Sequence, residues 1–350
     1  MCAHASFAVL FALCFAAGLV ALAGEDPGAA ARGPAWRPGK AIDLKGLKVH
    51  LSDPVLVWRS KSFLWFPTLV RLGNGELLAI MSPCADTHFS ASVSAVSRST
   101  DGGLTWGEPR IVVDGGSVGV PLPSGDVILL PYLMRPRPGG MGAPYNLAHA
   151  SKRESLTHVR TGATVTGWPR PDRSFAPDLG VSGFVFNGQV VALKDGKHLT
   201  TLYGYFKGDK QYSLVAAESA NGVQWTIRSV VADHKCGLPM AQNEGPCEAA
   251  LCRLADGRLM CIFRLGSGLP YGQVWSGDEA KTWTKPVAMT GVYSVEPSLV
   301  VLNDGTVALS GGRPGLALWF NTDGTGKGWH EPLAPLERWR DRLWAQPEGL

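Results

Sequence analysis

Ser99-Thr100-Asp101-Gly102-Gly103-Leu104-Thr105-Trp106 compresses an aspartate, two glycines and a tryptophan into one short loop. An aspartate in a tight turn accepts nearby backbone N–H groups, glycine supplies positive φ, and an indole ring packs between strands. The stretch therefore reads as a structural clip of the form S-x-D-x-G-x-T-W. Weaker copies stand at 219–225 (SANGVQW), 276–283 (SGDEAKTW) and 321–329 (NTDGTGKGW). Recurrence of a clip at a distance calls for a search for a repeat before single elements are assigned.

Five segments share a second pattern: alternating apolar residues, then Asp, Asn or Ser followed by glycine, then alternation again. They are TLVRLGNGELLAIM, GVPLPSGDVILLPY, VVALKDGKHLTTLY, AALCRLADGRLMCIF and SLVVLNDGTVALSGG, with turn glycines at Gly75, Gly125, Gly196, Gly257 and Gly305. Each predicts a β-hairpin. Downstream of each comes a tryptophan: Trp106, Trp168, Trp225, Trp283 and Trp329. The intervals of 31, 43, 29, 26 and 24 residues leave room for four short strands per unit. That is the shape of a propeller blade, with a β-sandwich as the competing all-β architecture.

The clips and the order of the units resemble the sialidase, or neuraminidase, superfamily with its Asp-box (BNR) repeats, over approximately residues 60 to 330. The resemblance implies an all-β, six-bladed β-propeller, of which five blades are visible. A strand within residues 47–58 is placed to join the last blade. Only 21 residues follow Trp329, so the last blade is expected to be incomplete or missing. The expected domain runs from 44 to 350.

The resemblance also implies a site. The family holds a substrate carboxylate with three arginines, donates a proton from an aspartate, and attacks with a tyrosine activated by a glutamate. Guanidinium forks match a carboxylate in two-point geometry, which is why arginine suits that task. Glu248, sixteen residues before Arg264, resembles the family's glutamate-hairpin-arginine unit, and Glu296 with Arg313 repeats it. Glu244 competes for the place of Glu248. Asp86 matches the acid position and His88 lies beside it. Where the family carries the arginine of an R-I-P motif, this chain has Trp65-Phe66-Pro67, so Trp65 is expected to stack on a sugar face or to pack in the core. No tyrosine follows Arg313; Tyr271 and Tyr293 precede it. Glu248 and Asp86 are thus the candidate catalytic residues, and Arg264, Arg313, Glu296, Trp65 and His88 the candidate substrate-binding ones. The resemblance implies a secreted exo-glycoside hydrolase acting on terminal acidic sugars. A non-catalytic propeller that binds a glycan or a protein is the alternative.

Composition agrees with this class. With 45% hydrophobic residues, 43 Gly, 25 Pro and 12 Trp, the chain suits many short strands around a large core. A net charge of +4 without any long Lys/Arg run argues against nucleic acid as a partner. No Cys/His spacing suggests a metal, no cofactor is implied, and a monomer is expected. Residues 1–23 are apolar from Phe7 to Ala23 and end in Ala21-Leu22-Ala23, which reads as a signal peptide and hence an extracytoplasmic, secreted or periplasmic chain. A membrane is a partner only if that segment stays uncleaved as an anchor. Residues 24–43 read as a Gly/Pro/Ala-rich leader. A two-residue turn at Asp256-Gly257 would set Cys252 opposite Cys261, within reach of a disulfide, with buried thiols as the other reading. The loop 135–146 (RPRPGGMGAPYN) is expected either to cover the central pocket or to be an ordinary mobile insertion.

Overall fold

Each hairpin glycine closes the same turn. In the computed structural model, which describes residues 41–44, 47–50, 52, 55–61, 63–84, 93–113, 115–132, 134–137, 140–149, 155–169, 184–206, 208–313 and 316–336, the amides of Gly75, Gly125, Gly196, Gly257 and Gly305 donate to the carbonyl of the leucine three residues earlier at 2.9–3.0 Å. The leucine amide in turn donates to the carbonyl four residues ahead, at 2.8–2.9 Å. All five glycines have φ between 82° and 88°. The polar residue before each glycine accepts the amide two residues on, as Asn74 does from Glu76 and Asp304 from Thr306. This is a type I turn followed by a left-handed glycine, a three-residue loop.

One expectation falls with that loop. The turn at Asp256-Gly257 holds three residues rather than two, so the register moves by one: Cys252 pairs with Met260, and Cys261 with Leu251. A one-residue shift sends side chains to opposite faces of a sheet. Cys252 packs with Met260 and Trp319, whereas Cys261 packs with Leu199 and Val274. No disulfide joins them, and Cys84, Cys236, Cys247, Cys252 and Cys261 are free thiols.

The strands assemble as propeller blades, with no helix among the described residues. After a short hairpin, β1 (Ala41–Leu44) and β2 (Leu47–His50), comes a four-stranded antiparallel blade one: β3 (Trp65–Arg71), β4 (Leu77–Ser82), β5 (Val93–Ser99) and β6 (Arg110–Val113). Next come β7 (Val118–Pro121), β8 (Val127–Leu130), β9 (Arg135–Arg137), β10 (Gly140–His149) and β11 (Ser155–Thr166). Blade three is β12 (Phe184–Ala192), β13 (His198–Gly204), β14 (Ser213–Ser219) and β15 (Gln224–Ala232). Blade four is β16 (Cys247–Arg253), β17 (Leu259–Arg264), β18 (Gly272–Ser276) and β19 (Val287–Ala288). Blade five is β20 (Ser298–Val301), β21 (Val307–Gly311), β22 (Leu316–Asn321) and β23 (Leu333–Leu336).

Blade two departs from the rule. Its second strand, β8, pairs in parallel with β11, and β11 also pairs in parallel with β15, so blades two and three share one nine-stranded sheet. Within it, β9 and β10 occupy 135–137 and 140–149 and pair with each other. The segment expected as a covering loop is therefore mostly strand.

Hydrophobic cores form between neighbouring blades, as sheet packing demands. Ile80 and Val96 of blade one meet Val127 and Leu129 of blade two, and Leu199 and Leu214 of blade three meet Leu251 and Phe263 of blade four. Ile262 and Met260 of blade four meet Leu309 and Trp319 of blade five. The first strands follow one another around the axis, β3 beside β7, β7 beside β12, β12 beside β16 and β16 beside β20. Among the described residues the first strand, β1, begins at Ala41. Leu47 and Val49 pack on Leu318 and Phe320 of blade five, while Val57 and Trp58 pack on Ala79 and Met81 of blade one. The segment expected to join the last blade thus reaches it through side chains, its strand β2 pairing with β1.

The clips tie third to fourth strands. In blade one Asp101 accepts the Thr105 amide at 2.9 Å and the Ser99 hydroxyl at 2.8 Å, while Ser99 Oγ accepts the Gly103 amide at 2.7 Å. Asp278, Ser276, Ala280 and Thr282 repeat the pattern in blade four. These hydrogen bonds hold the Asp101 carboxyl well below the usual carboxylate range. Trp225 Nε1 donates to Gly222 O and Trp106 Nε1 to Gly103 O, but only Trp225 is fully buried, 1% exposed; Trp106 is half-buried. Trp225→Ala is expected to cost about 3–5 kcal/mol in urea unfolding, the range for deleting a buried aromatic, and Trp106→Ala distinctly less. Equal losses would contradict this ranking of the clips.

Candidate functional site

The start of several first strands is bulged. In β16 the register slips between Cys247 and Ala249, leaving Glu248 unpaired at φ 38°; in β3 it slips between Trp65 and Thr68, with Phe66 at φ 52°; and Glu296, just ahead of β20, has φ 46°. Left-handed backbone at a non-glycine residue costs about 1–3 kcal/mol and persists only where the surroundings impose it. In β12 the slip follows Asn187, and glycine takes the left-handed place: a Cβ on Gly188 would lie 2.6 Å from the Ala249 carbonyl oxygen. Four blades thus carry left-handed backbone at or near the start of the first strand, with a register slip in three of them.

Polar side chains cross between these starts. Asn187, 7% exposed, accepts the Ala249 amide through Oδ1 at 2.9 Å and reaches Glu296 Oε2 with Nδ2 at 3.5 Å. Two residues on, across the slip, Gln189 exchanges two hydrogen bonds with the backbone of Leu299, at 2.6 and 2.9 Å. Blade three is thereby stapled to blades four and five. Neither amide was singled out from sequence, because nothing in a strand's pattern shows which polar residue will face an axis.

Arg264, at the end of β17, is 8% exposed. Its Nη1 donates to Glu248 Oε1 at 2.6 Å, and its Nη2 to Glu244 Oε1 at 2.7 Å and Ser267 Oγ at 3.1 Å. Glu244 and Glu248, alternatives in the sequence, both hold the same guanidinium. The second oxygen of Glu248 accepts the Glu296 amide at 3.0 Å, which joins blade four to blade five at the site. Arg313 is placed by a reciprocal clamp: its amide donates to Ser294 Oγ at 2.8 Å, and that hydroxyl donates to the Arg313 carbonyl at 2.6 Å.

Glu296 feels all of them. Enclosure by protein and the Glu248 carboxylate push its carboxyl up to about 8, against the opposing pull of Asn187, Arg264 and Arg313. Tyr203 of β13 also lies in this field. Burial, then Tyr132, Glu248, Cys247 and Glu296, keep its phenol protonated far above the usual range. Sequence reasoning missed Tyr203, which stands mid-strand in an ordinary alternating segment.

Glu248, Arg264 and Glu296 are joined by hydrogen bonds, and the charge of Arg313 reaches Glu296. Asp86 and His88 lie outside the described residues. Trp65 is half-buried at the start of β3, stacked on Phe63 at 5.7 Å and tilted against Phe66 at 6.4 Å. Tyr271 is fully buried, while Tyr293 is 46% exposed. Among the described residues no three His, Cys, Asp or Glu side chains are grouped to hold a metal ion. A separate groove of about 650 Å³ runs along the outer edge of blades four and five, where Lys327 Nζ sits 5.7 Å from the Trp275 ring centroid; it does not include the central residues.

The BNR repeat-like domain family matches the chain over residues 97–338. No curated protein sequence matches it. Among solved structures, a protein of unknown function from Dyadobacter fermentans is similar at 17% identity and a TM-score of 0.55, over 80% of this chain and 85% of that one. The Hadza microbial sialidase Hz136 is similar at 16% identity and a TM-score of 0.53, over 83% of this chain and 63% of its own. At these identities the likeness is one of fold.

Two outcomes follow from the geometry. Arg264→Ala strands Glu244 and Glu248 in a buried setting and is expected to lower unfolding free energy by about 3–5 kcal/mol, measured by denaturant titration; an unchanged midpoint would show that the ion pairs are dispensable. Glu296 keeps its proton in the native state to about pH 8 but releases it near 4.5 when unfolded. Native stability therefore falls as pH rises between those values and levels off above. Thermal unfolding of Glu296→Gln across this window should lack that decline, and an identical pH slope in the two proteins would contradict it.

Proposed function

From the premise that this chain belongs to the BNR repeat-like domain family of the sialidase superfamily, we propose that it is an extracytoplasmic exo-glycoside hydrolase taking a terminal acidic sugar at the axis. The observation that carries this reading is the meeting of two glutamate-hairpin-arginine units, with the Glu296 amide bound to the Glu248 carboxylate. Their roles divide. Arg264 already carries two carboxylates and orients them. Arg313, clamped through Ser294, is the guanidinium assigned to the sugar carboxylate, to which a charge-assisted fork is well suited. The strained backbone at both glutamates supports a functional use, since strain of this kind gathers at sites that bind or react.

A second reading, a propeller that binds a glycan or a protein without cleaving it, draws support from Trp65 in place of the first arginine and from the burial of Tyr271. A panel of fluorogenic glycosides separates the two. Cleavage of acidic glycosides is expected, with Arg313→Ala raising KM for them about 10–100-fold, the scale of one lost charge-assisted hydrogen bond, and leaving the melting temperature unchanged. Glycan binding without turnover of any glycoside would instead select the binding reading.

A further inference from the structure

We propose that Glu296 is the proton donor of the central site, working beside Glu248, which is ion-paired with Arg264; this rests on the hydrolase reading above. The sequence nominates Asp86, which lies outside the described residues, for that task; among the described ones Glu296 is suited to it.

The two carboxyls are chemically unequal although they lie at equivalent places in adjacent blades. Glu248 is held at both oxygens, by Arg264 Nη1 at 2.6 Å and by the Glu296 amide at 3.0 Å, and its charge is matched by the guanidinium. The Glu296 carboxyl has no ion pair among the described residues, and its close polar partner is Asn187 Nδ2, at the outer limit of hydrogen bonding, 3.5 Å. It is nevertheless partly open at the surface. The groups whose charge or field reaches this cluster are Glu248 and Cys247 from β16, Glu244 ahead of β16, Arg264 at the end of β17, Tyr271 before β18, Tyr203 from β13 and Arg313 after β21. Burial and the Glu248 charge outweigh the two arginines, so its carboxyl is pushed up to about 8. Two neighbouring carboxyls whose environments separate their protonation supply an acid and an anion at neutral pH.

The step balances with water as co-reactant. The Glu296 carboxyl gives its proton to the glycosidic oxygen; the bond from that oxygen to the anomeric carbon breaks, and its electron pair leaves with the protonated oxygen as an alcohol. The Glu248 carboxylate stabilises the positive charge that develops on the sugar. Water then adds to the anomeric carbon and returns a proton to the Glu296 carboxylate, restoring the starting state. Asn187 is a positioning residue, since it ties Glu296 to the first strand of blade four.

Carbon-13 NMR of protein labelled at the glutamate side-chain carboxyl reads the proton directly, without substrate. A carboxyl titrating near pH 8 is expected in the native protein and absent from Glu296→Gln. Kinetics on two acidic glycosides, one with a sugar leaving group and one with 4-nitrophenol, read the transfer. Glu296→Gln should lose about 10²–10⁴-fold in kcat on the sugar leaving group and far less on 4-nitrophenol, which departs without a proton. The fall in rate above about pH 8 should vanish with it. Absence of a carboxyl titrating near 8, or equal kcat loss on both leaving groups in a variant that melts like the native protein, overturns the assignment. A leaving-group-dependent loss in Asp86→Asn with none in Glu296→Gln also overturns it, in favour of Asp86. If the native protein cleaves no glycoside, the hydrolase reading fails, while the protonation of Glu296 still stands or falls on the NMR titration.

Discussion

A single turn sets the geometry of the whole chain: a leucine carbonyl accepts the amide of a glycine three residues later, and the leucine amide returns a bond to the residue after the glycine. The loop is one residue longer than the tightest hairpin, and with strand side chains alternating, loop length decides which residues face which neighbouring blade. In blade four that choice sends Leu251, Cys261 and Phe263 toward blade three and Cys252, Met260 and Ile262 toward blade five. Five copies of the turn give five first strands oriented alike about one axis. Residues at the start of those strands are neighbours in space although far apart in the chain.

That placement has an electrostatic consequence. Three glutamates and two arginines meet where water is partly excluded, and their charges cannot all be balanced pairwise. Arg264 binds two carboxylates, and burial together with the Glu248 charge outweighs the pull of Asn187, Arg264 and Arg313 on Glu296, so its carboxyl is pushed up. The left-handed backbone at Glu248 and Glu296 belongs to the same arrangement. A bulge turns Glu248 out of the strand ladder, Glu296 stands just ahead of β20, and the Glu296 amide is satisfied by the neighbouring carboxylate. Asn187 and Gln189, reaching across from blade three, supply the cross-links that hold these starts in place.

What was legible in the sequence was local. The clip at Ser99–Trp106, the five glycine turns and the pairing of Glu248 with Arg264 each depend on residues close together in the chain. The loop length at Gly257 escaped, because Asp-Gly suits both a two-residue and a three-residue turn, and the error moved Cys252 away from Cys261. The parallel pairing of β8 with β11, and the strands within 135–149, depend on contacts that composition does not carry. Asn187, Gln189 and Tyr203 escaped for the same reason. Their importance comes from facing the axis, which is a property of the assembled ring.

The central claim is that the starts of blades four and five form one binding site. A crystal structure of the protein soaked with a planar, anionic analogue of a sialic acid transition state tests it most directly. The account predicts the sugar ring between Glu248 and Glu296, with its carboxylate on Arg313. An analogue bound away from the axis, or a central site empty at saturating analogue in a well-ordered crystal, would contradict it.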